Sequence, residues 1–122
     1  MKPHILFADD EVSMRELLTE YFGQKGYEVA TAATGQAAMK MADHGHFDLA
    51  ILDINLAGEN GLELLRYFRT NFPKLPVVMF TGLPGGDELL DQAMARGASG
   101  FMRKTDSMDD LLAAVQVYLP KS

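Results

Sequence analysis

The chain has 122 residues, of which 48% are hydrophobic and 23% charged, the size and balance of one soluble domain around one core. It contains no cysteine, which excludes a disulfide framework, a thiolate metal site and a Cys nucleophile, and no apolar run is long enough to span a bilayer. The formal net charge of −6 argues against direct nucleic-acid binding through phosphate neutralisation, and the opening MKPHILFADD has acids where a secretion signal keeps its apolar region, so the expected setting is the cytoplasm.

Along the chain, apolar runs alternate with segments of helical spacing. The runs Ile5–Ala8, Tyr27–Thr31, Leu49–Leu52, Val77–Phe80 and Gly100–Met102 read as strands. After the first, Val12, Leu17, Leu18, Tyr21 and Phe22 recur at threes and fours. Ser13 with Glu16 has the form of a capping box, and Gly23 and Gly26 stand where that helix should stop. A second helix is predicted from Gly35 to Asp43, with Thr34 as N-cap and Ala37, Ala38 and Met41 inward. A third runs from Gly61 to Asn71 on Leu62, Leu65 and Phe68, barred from continuing by Pro73 and Pro76. The fourth, Asp87 to Arg96, is closed by Gly97. The fifth starts at Ser107 and carries Leu111, Leu112, Val115 and Leu119 before Pro120. Five successive βα units predict an α/β fold, a doubly wound parallel sheet with helices on both faces. The third and fourth strands, DLAIL and PVVMF, are apolar throughout, as buried parallel strands are.

Ligands of open parallel sheets bind at the carboxyl ends of the strands. The first strand ends in Asp9 and Asp10, the third in Asp53, the fourth in Thr81 and the fifth in Lys104. The second ends in Ala32 and Ala33 and is expected at an edge. Three aspartates on one rim repel one another unless a cation compensates them. Oxygen-only ligands with room for water suit Mg²⁺, which often shares its shell with phosphate. Lys104 adds a mobile positive charge and Thr81 a hydroxyl, so the set suits phosphoryl transfer to a carboxylate.

These residues, with ILFADDE, AILDINLAGENGLELL, VVMFTG and GASGFMRK, strongly resemble the receiver domain of two-component response regulators over essentially the whole chain, as a single domain, 1–122. The resemblance implies strand order 2-1-3-4-5 in a flavodoxin-like fold. It implies Asp53 as phospho-acceptor, Asp10 as a direct Mg²⁺ ligand, Asp9 acting on the metal mainly through water, and the backbone carbonyl of Asn55 completing the set. Thr81 and Lys104 would bind the acyl phosphate, and Thr81 with Phe101, in the aromatic position, would form the switch. The implied partners are a sensor histidine kinase or a histidine phosphotransfer protein, and a second copy through the fourth helix, fifth strand and fifth helix. The only chemistry implied is the domain's own aspartyl phosphorylation and dephosphorylation. Leu56-Ala57 departs from the family's common Met-Pro and Asn60 from its Asp. Thr105 replaces a proline after Lys104, so a trans bond is expected there. Leu83 offers nothing to orient an attacking water, which predicts slow self-dephosphorylation.

Other features read as structure. His44 and His46 around Gly45 form a solvated turn rather than a metal site, His4 shields a strand start, the eight methionines fill the core, and TGLPGG marks a connection without the Lys-Ser/Thr of a phosphate loop. A flavodoxin-like cofactor binder would share the fold, but Asp9, Asp10 and Glu11 would repel a flavin phosphate. A degenerate receiver serving only as a protein-binding module is the third reading. The chain end two residues beyond Pro120 fits either a stand-alone receiver or one cut from a longer regulator.

Overall fold

The computed structural model describes residues 2–56, 58–82 and 87–120. In chain order its elements are β1 (His4–Ala8), α1 (Val12–Gln24), β2 (Glu28–Ala32), α2 (Gly35–His44), β3 (Leu49–Leu52), β4 (Asn55–Leu56) and β5 (Glu59–Asn60). They continue with α3 (Gly61–Asn71), β6 (Val77–Thr81), α4 (Asp87–Ala95), β7 (Gly100–Arg103) and α5 (Met108–Gln116). The TGLPGG connection beyond Gly82, and with it Leu83, lies outside the described residues.

Five strands pair in parallel in the order β2-β1-β3-β6-β7, which is 2-1-3-4-5 when only those five are counted. β2, the strand without a polar end, is an edge, and β1 and β3 lie at the centre with Ala8 opposite both Ala32 and Leu52. Alternate residues feed two cores. Leu6, Ala8, Ala50, Leu52, Val77 and Met79 pack with Ala38, Leu65, Phe68 and Ala93 of α2, α3 and α4. Ile5, Phe7, Leu49, Ile51, Val78 and Phe80 pack with Leu18, Phe22, Leu111 and Val115 of α1 and α5. Each fully buried Leu or Phe contributes about 1.5–3 kcal/mol, so these two layers hold the strand ends in fixed register.

Helix ends follow their caps. Thr34 accepts from the Ala37 N–H at 3.1 Å, and Ser107 from that of Asp110 at 3.0 Å. Gly97 takes φ +99° after α4. Two expectations fail, and one pair of strands is additional. Ser13 and Glu16 form no capping box: α1 already begins at Val12, Glu11 takes the N-cap position, and its side chain makes no cap hydrogen bond. Val12 and Leu17 are exposed, because Leu18 and Phe22, flanked by the half-buried Met14 and Tyr21, set the buried face of α1. β4 and β5 pair as a short antiparallel hairpin, Asn55 opposite Asn60, in addition to the five strands read from the sequence. The Lys104–Thr105 peptide is trans.

Candidate functional site

Three backbone hydrogen bonds build the rim. The Asp9 N–H donates to Ala32 O at 3.0 Å, that of Asp53 to Ala8 O at 3.0 Å, and that of Lys104 to Thr81 O at 2.9 Å. Each prolongs the sheet by one residue past its strand, so these side chains start from fixed backbone rather than from mobile loop. Local turns then aim them. Asp9 Oδ1 accepts from the Glu11 N–H at 2.9 Å and Asp53 Oδ1 from the Asn55 N–H at 3.2 Å. The guanidinium of Arg15 donates to Asp9 O at 2.8 Å. Behind Asp53 the chain returns so closely, with Gly61 N–H on Ile54 O at 2.5 Å, that a Cβ at residue 61 would lie 2.1 Å from Asp53 O. Only glycine fits there, and the β4–β5 hairpin closes the loop it anchors. The Lys104 stem crosses over Gly82, where a Cβ would meet its Cδ at 3.3 Å.

Lys104 Nζ is the centre. It lies 2.7 Å from Asp9 Oδ2, 2.8 Å from Glu11 Oε1 and 2.9 Å from Asp53 Oδ2. Asp9, Asp53 and Thr81 are buried, whereas Asp10 and Glu11 reach solvent. Burial pushes the Asp53 carboxyl above the usual carboxylate range. The Lys104 ammonium and the Asn55 N–H pull it back only in part, and Asp9 adds to the rise. For Lys104, burial lowers the ammonium's proton affinity, but Asp9, Glu11 and Asp53 together outweigh it and hold the group above its ordinary value. The three carboxylates thus favour the charged form of the lysine.

One ammonium does not neutralise this rim. Asp9, Asp10 and Asp53 each bring a carboxylate oxygen within 4.8 Å of the others, an all-oxygen set that fits a hard divalent cation. Asp9 Oδ2 supports the same fit: it is fully buried and, beyond its charge contact with Lys104, has no directed hydrogen bond among the described residues. The structure brings Asp9, Asp10, Asp53 and Lys104 together. Thr81, buried at the end of β6, lies next to them through its backbone bond to Lys104. Phe101 sits on β7 opposite Met79, packs against the core shared with α4, and carries the Arg103 guanidinium over its ring at 5.5 Å.

A family model described as the response regulator receiver domain matches residues 5–116. The chain belongs to the response regulator receiver family. It is 30% identical over 120 residues to sporulation initiation phosphotransferase F of Bacillus subtilis, covering 98% of this chain and 96% of that protein. Chemotaxis response regulator CheY4 of Vibrio cholerae superposes with a TM-score of 0.90 at 30% identity, over 98% of this chain and 100% of that one. Response regulator protein TrrA of Thermotoga maritima, solved in complex with Mg²⁺-BeF, gives 0.86 at 34% identity, over 98% and 100%. The chain spans about half or less of the length of several other curated relatives. Receivers are signalling modules, and no helix among the described residues of this one is long and apolar enough to cross a membrane.

Glu11 is the residue of this receiver's rim that sequence reasoning left without a role. Its partner lies 93 positions away. The one signal that pointed to it was its place in the acidic run after β1.

Proposed function

We propose that this receiver is switched by phosphorylation of Asp53, the phosphoryl group coming from a histidine kinase or histidine phosphotransfer protein in a Mg²⁺-dependent reaction. The observation that carries the reading is Asp53 itself: a desolvated carboxylate 2.9 Å from a buried ammonium and inside a three-carboxylate cation set. A surface aspartate lacks both. In the reaction an Asp53 oxygen forms a bond to phosphorus as the P–N bond of phosphohistidine breaks. The electron pair leaves on the imidazole, which takes up a proton.

Asp10, Asp53 and the Asn55 carbonyl would hold Mg²⁺, with Asp9 acting mainly through water. When bound, the ion supplies charge neutralisation at the phosphoryl oxygens. Lys104 already stands beside the accepting oxygen and pairs with the new phosphoryl oxygens. Thr81 offers its hydroxyl to them, and Phe101 follows into the space Thr81 vacates. The domain's own chemistry is limited to gaining and slowly losing this group. The surface of α4, β7 and α5 then meets a target or a second copy, a population shift driven by the new contacts.

Incubation with a small phosphodonor and Mg²⁺, read by intact mass, tests this. One phosphoryl group is expected on the wild type, and none on Asp53→Asn or without divalent metal. An unlabelled wild type, or equal labelling of Asp53→Asn, overturns the proposal.

A further inference from the structure

The carboxylate of Glu11 touches the same ammonium as the acceptor. Glu11 Oε1 and Asp53 Oδ2 both lie within 2.9 Å of Lys104 Nζ, so they are no more than about 6 Å apart, a distance at which a unit charge still matters in water. Glu11 is exposed where Asp9 and Asp53 are buried, so it stands on the solvent side of the lysine. Four carboxylates, Asp9, Asp10, Glu11 and Asp53, gather at this rim around Lys104, with the Arg15 guanidinium a further cation, 2.8 Å from Asp9 O, and Glu11 adds its negative charge on the exposed side.

We propose that Glu11 is a positioning and selectivity residue: it tethers Lys104 at the mouth of the site, and its charge makes the site discriminate among phosphodonors by their negative charge. Donors whose leaving group is a neutral or protonated nitrogen base, as in phosphohistidine, are admitted. Free acyl phosphates, with more negative charge, are resisted. This rests on the reading of Asp53 as acceptor. With an acyl phosphate the P–O bond to the acyl group breaks and a carboxylate leaves; with a phosphoramidate the P–N bond breaks and the amine leaves protonated.

The test compares acetyl phosphate, doubly charged near neutral pH, with phosphoramidate, singly charged, as donors to wild type, Glu11→Gln and Glu20→Gln. Glu20 is an exposed acid of α1 away from Lys104 and controls for net charge. At low salt Glu11→Gln is expected to speed labelling about threefold with the singly charged donor and about ninefold with the doubly charged one, because the Coulomb energy scales with donor charge. Both factors should shrink in 1 M salt, where the screening length falls to about 3 Å. A second readout needs neither metal nor phosphate: the Lys104 side-chain NMR resonances of the metal-free protein should move in Glu11→Gln and stay in place in Glu20→Gln. Equal factors for the two donors, the same factors in Glu20→Gln, or an unmoved Lys104 signal overturns the inference. If the wild type accepts from neither donor, the reading of Asp53 falls and this one with it. If it accepts from both with no donor-dependent change on Glu11→Gln, only this one falls.

Discussion

The central strands β1 and β3 carry charge at both ends. At the carboxyl end stand Asp9 and Asp53, clasped by Lys104 from beyond β7. At the amino end His4 Nε2 meets Glu28 Oε2 at 2.5 Å, the His4 N–H donates to Asp48 Oδ2 at 2.8 Å, and His46 Nε2 lies 3.5 Å from Asp48 Oδ1. The residue types are much the same, and water separates the two cases. The Lys104 and Asp53 side chains are 11% and 5% exposed, whereas those of Glu28 and His46 are 56% and 89% exposed. Exposed pairs are screened and contribute little. Buried ones cost several kcal/mol per ion to desolvate and hold only while every partner is present. The fold therefore keeps a high-energy polar cluster at one end of its core and pins the other end at little energetic cost. The costly end is the one with unsatisfied negative charge, and hence the one with affinity for a cation and a phosphoryl group.

Removing the shared cation tests this difference most severely. Lys104→Met keeps the stem over Gly82 but leaves Asp9 and Asp53 buried without a counter-charge. The expected loss in urea unfolding of the metal-free protein is about 3–5 kcal/mol, the range for breaking a buried pair from one side. A divalent cation should restore part of it. A loss below about 1 kcal/mol would place the carboxyl rim with ordinary surface pairs.

The acceptor itself gives the next effect, and its sign comes from pH. Burial raises the Asp53 carboxyl above its unfolded value. A group raised in the folded state contributes stability that is full below the unfolded value, about 3.9 for Asp, and is lost as pH climbs through the folded value. Asp53→Asn removes the charge and keeps the shape. Without metal the variant should gain stability relative to wild type as pH rises from the acid side towards neutrality, and added Mg²⁺ should narrow the gap by stabilising the wild type alone. A gap that stays constant with pH would mean that Asp53 is not desolvated.

The carboxyl rim was legible in the sequence because parallel sheets put strand ends on one edge. Asp9, Asp10, Asp53, Thr81 and Lys104 each follow an apolar run, and once the runs are strands the rim follows from topology. Thr34 was legible as a cap, and Ser107 as the start of a helix, because a helix start is marked by contacts within three residues. Ser13 misled for the same reason: the S-x-x-E pattern is local, but the start of α1 is set by how β1 delivers Glu11, one tertiary step away. Val12 and Leu17 have helical spacing, yet which stripe of α1 is buried depends on the strands beneath it. The tether between Glu11 and Lys104 joins opposite ends of the chain, and the β4–β5 hairpin depends on the close return of Gly61 behind Asp53. Neither leaves a periodic signal.

The smallest effect belongs to the amino rim. His4→Gln removes the ring's pair with Glu28, its 3.2 Å contact with His46 O and its tilted packing on Phe47, centroids 5.6 Å apart. It leaves the main-chain bonds that hold the strand start: His4 N–H to Asp48 Oδ2, and Asp48 N–H to His4 O at 2.8 Å. The side-chain contacts are in water and the backbone ones survive, so the expected change in unfolding free energy is at most about 0.5 kcal/mol, smaller still in 1 M salt. The Lys104→Met loss should instead persist in the same salt, since buried charges are screened far less. Urea curves of both variants at low and high ionic strength thus set the two rims side by side. A His4→Gln loss above about 1.5 kcal/mol that resists salt would exceed the range of exposed pairs and make the amino rim a second desolvated cluster.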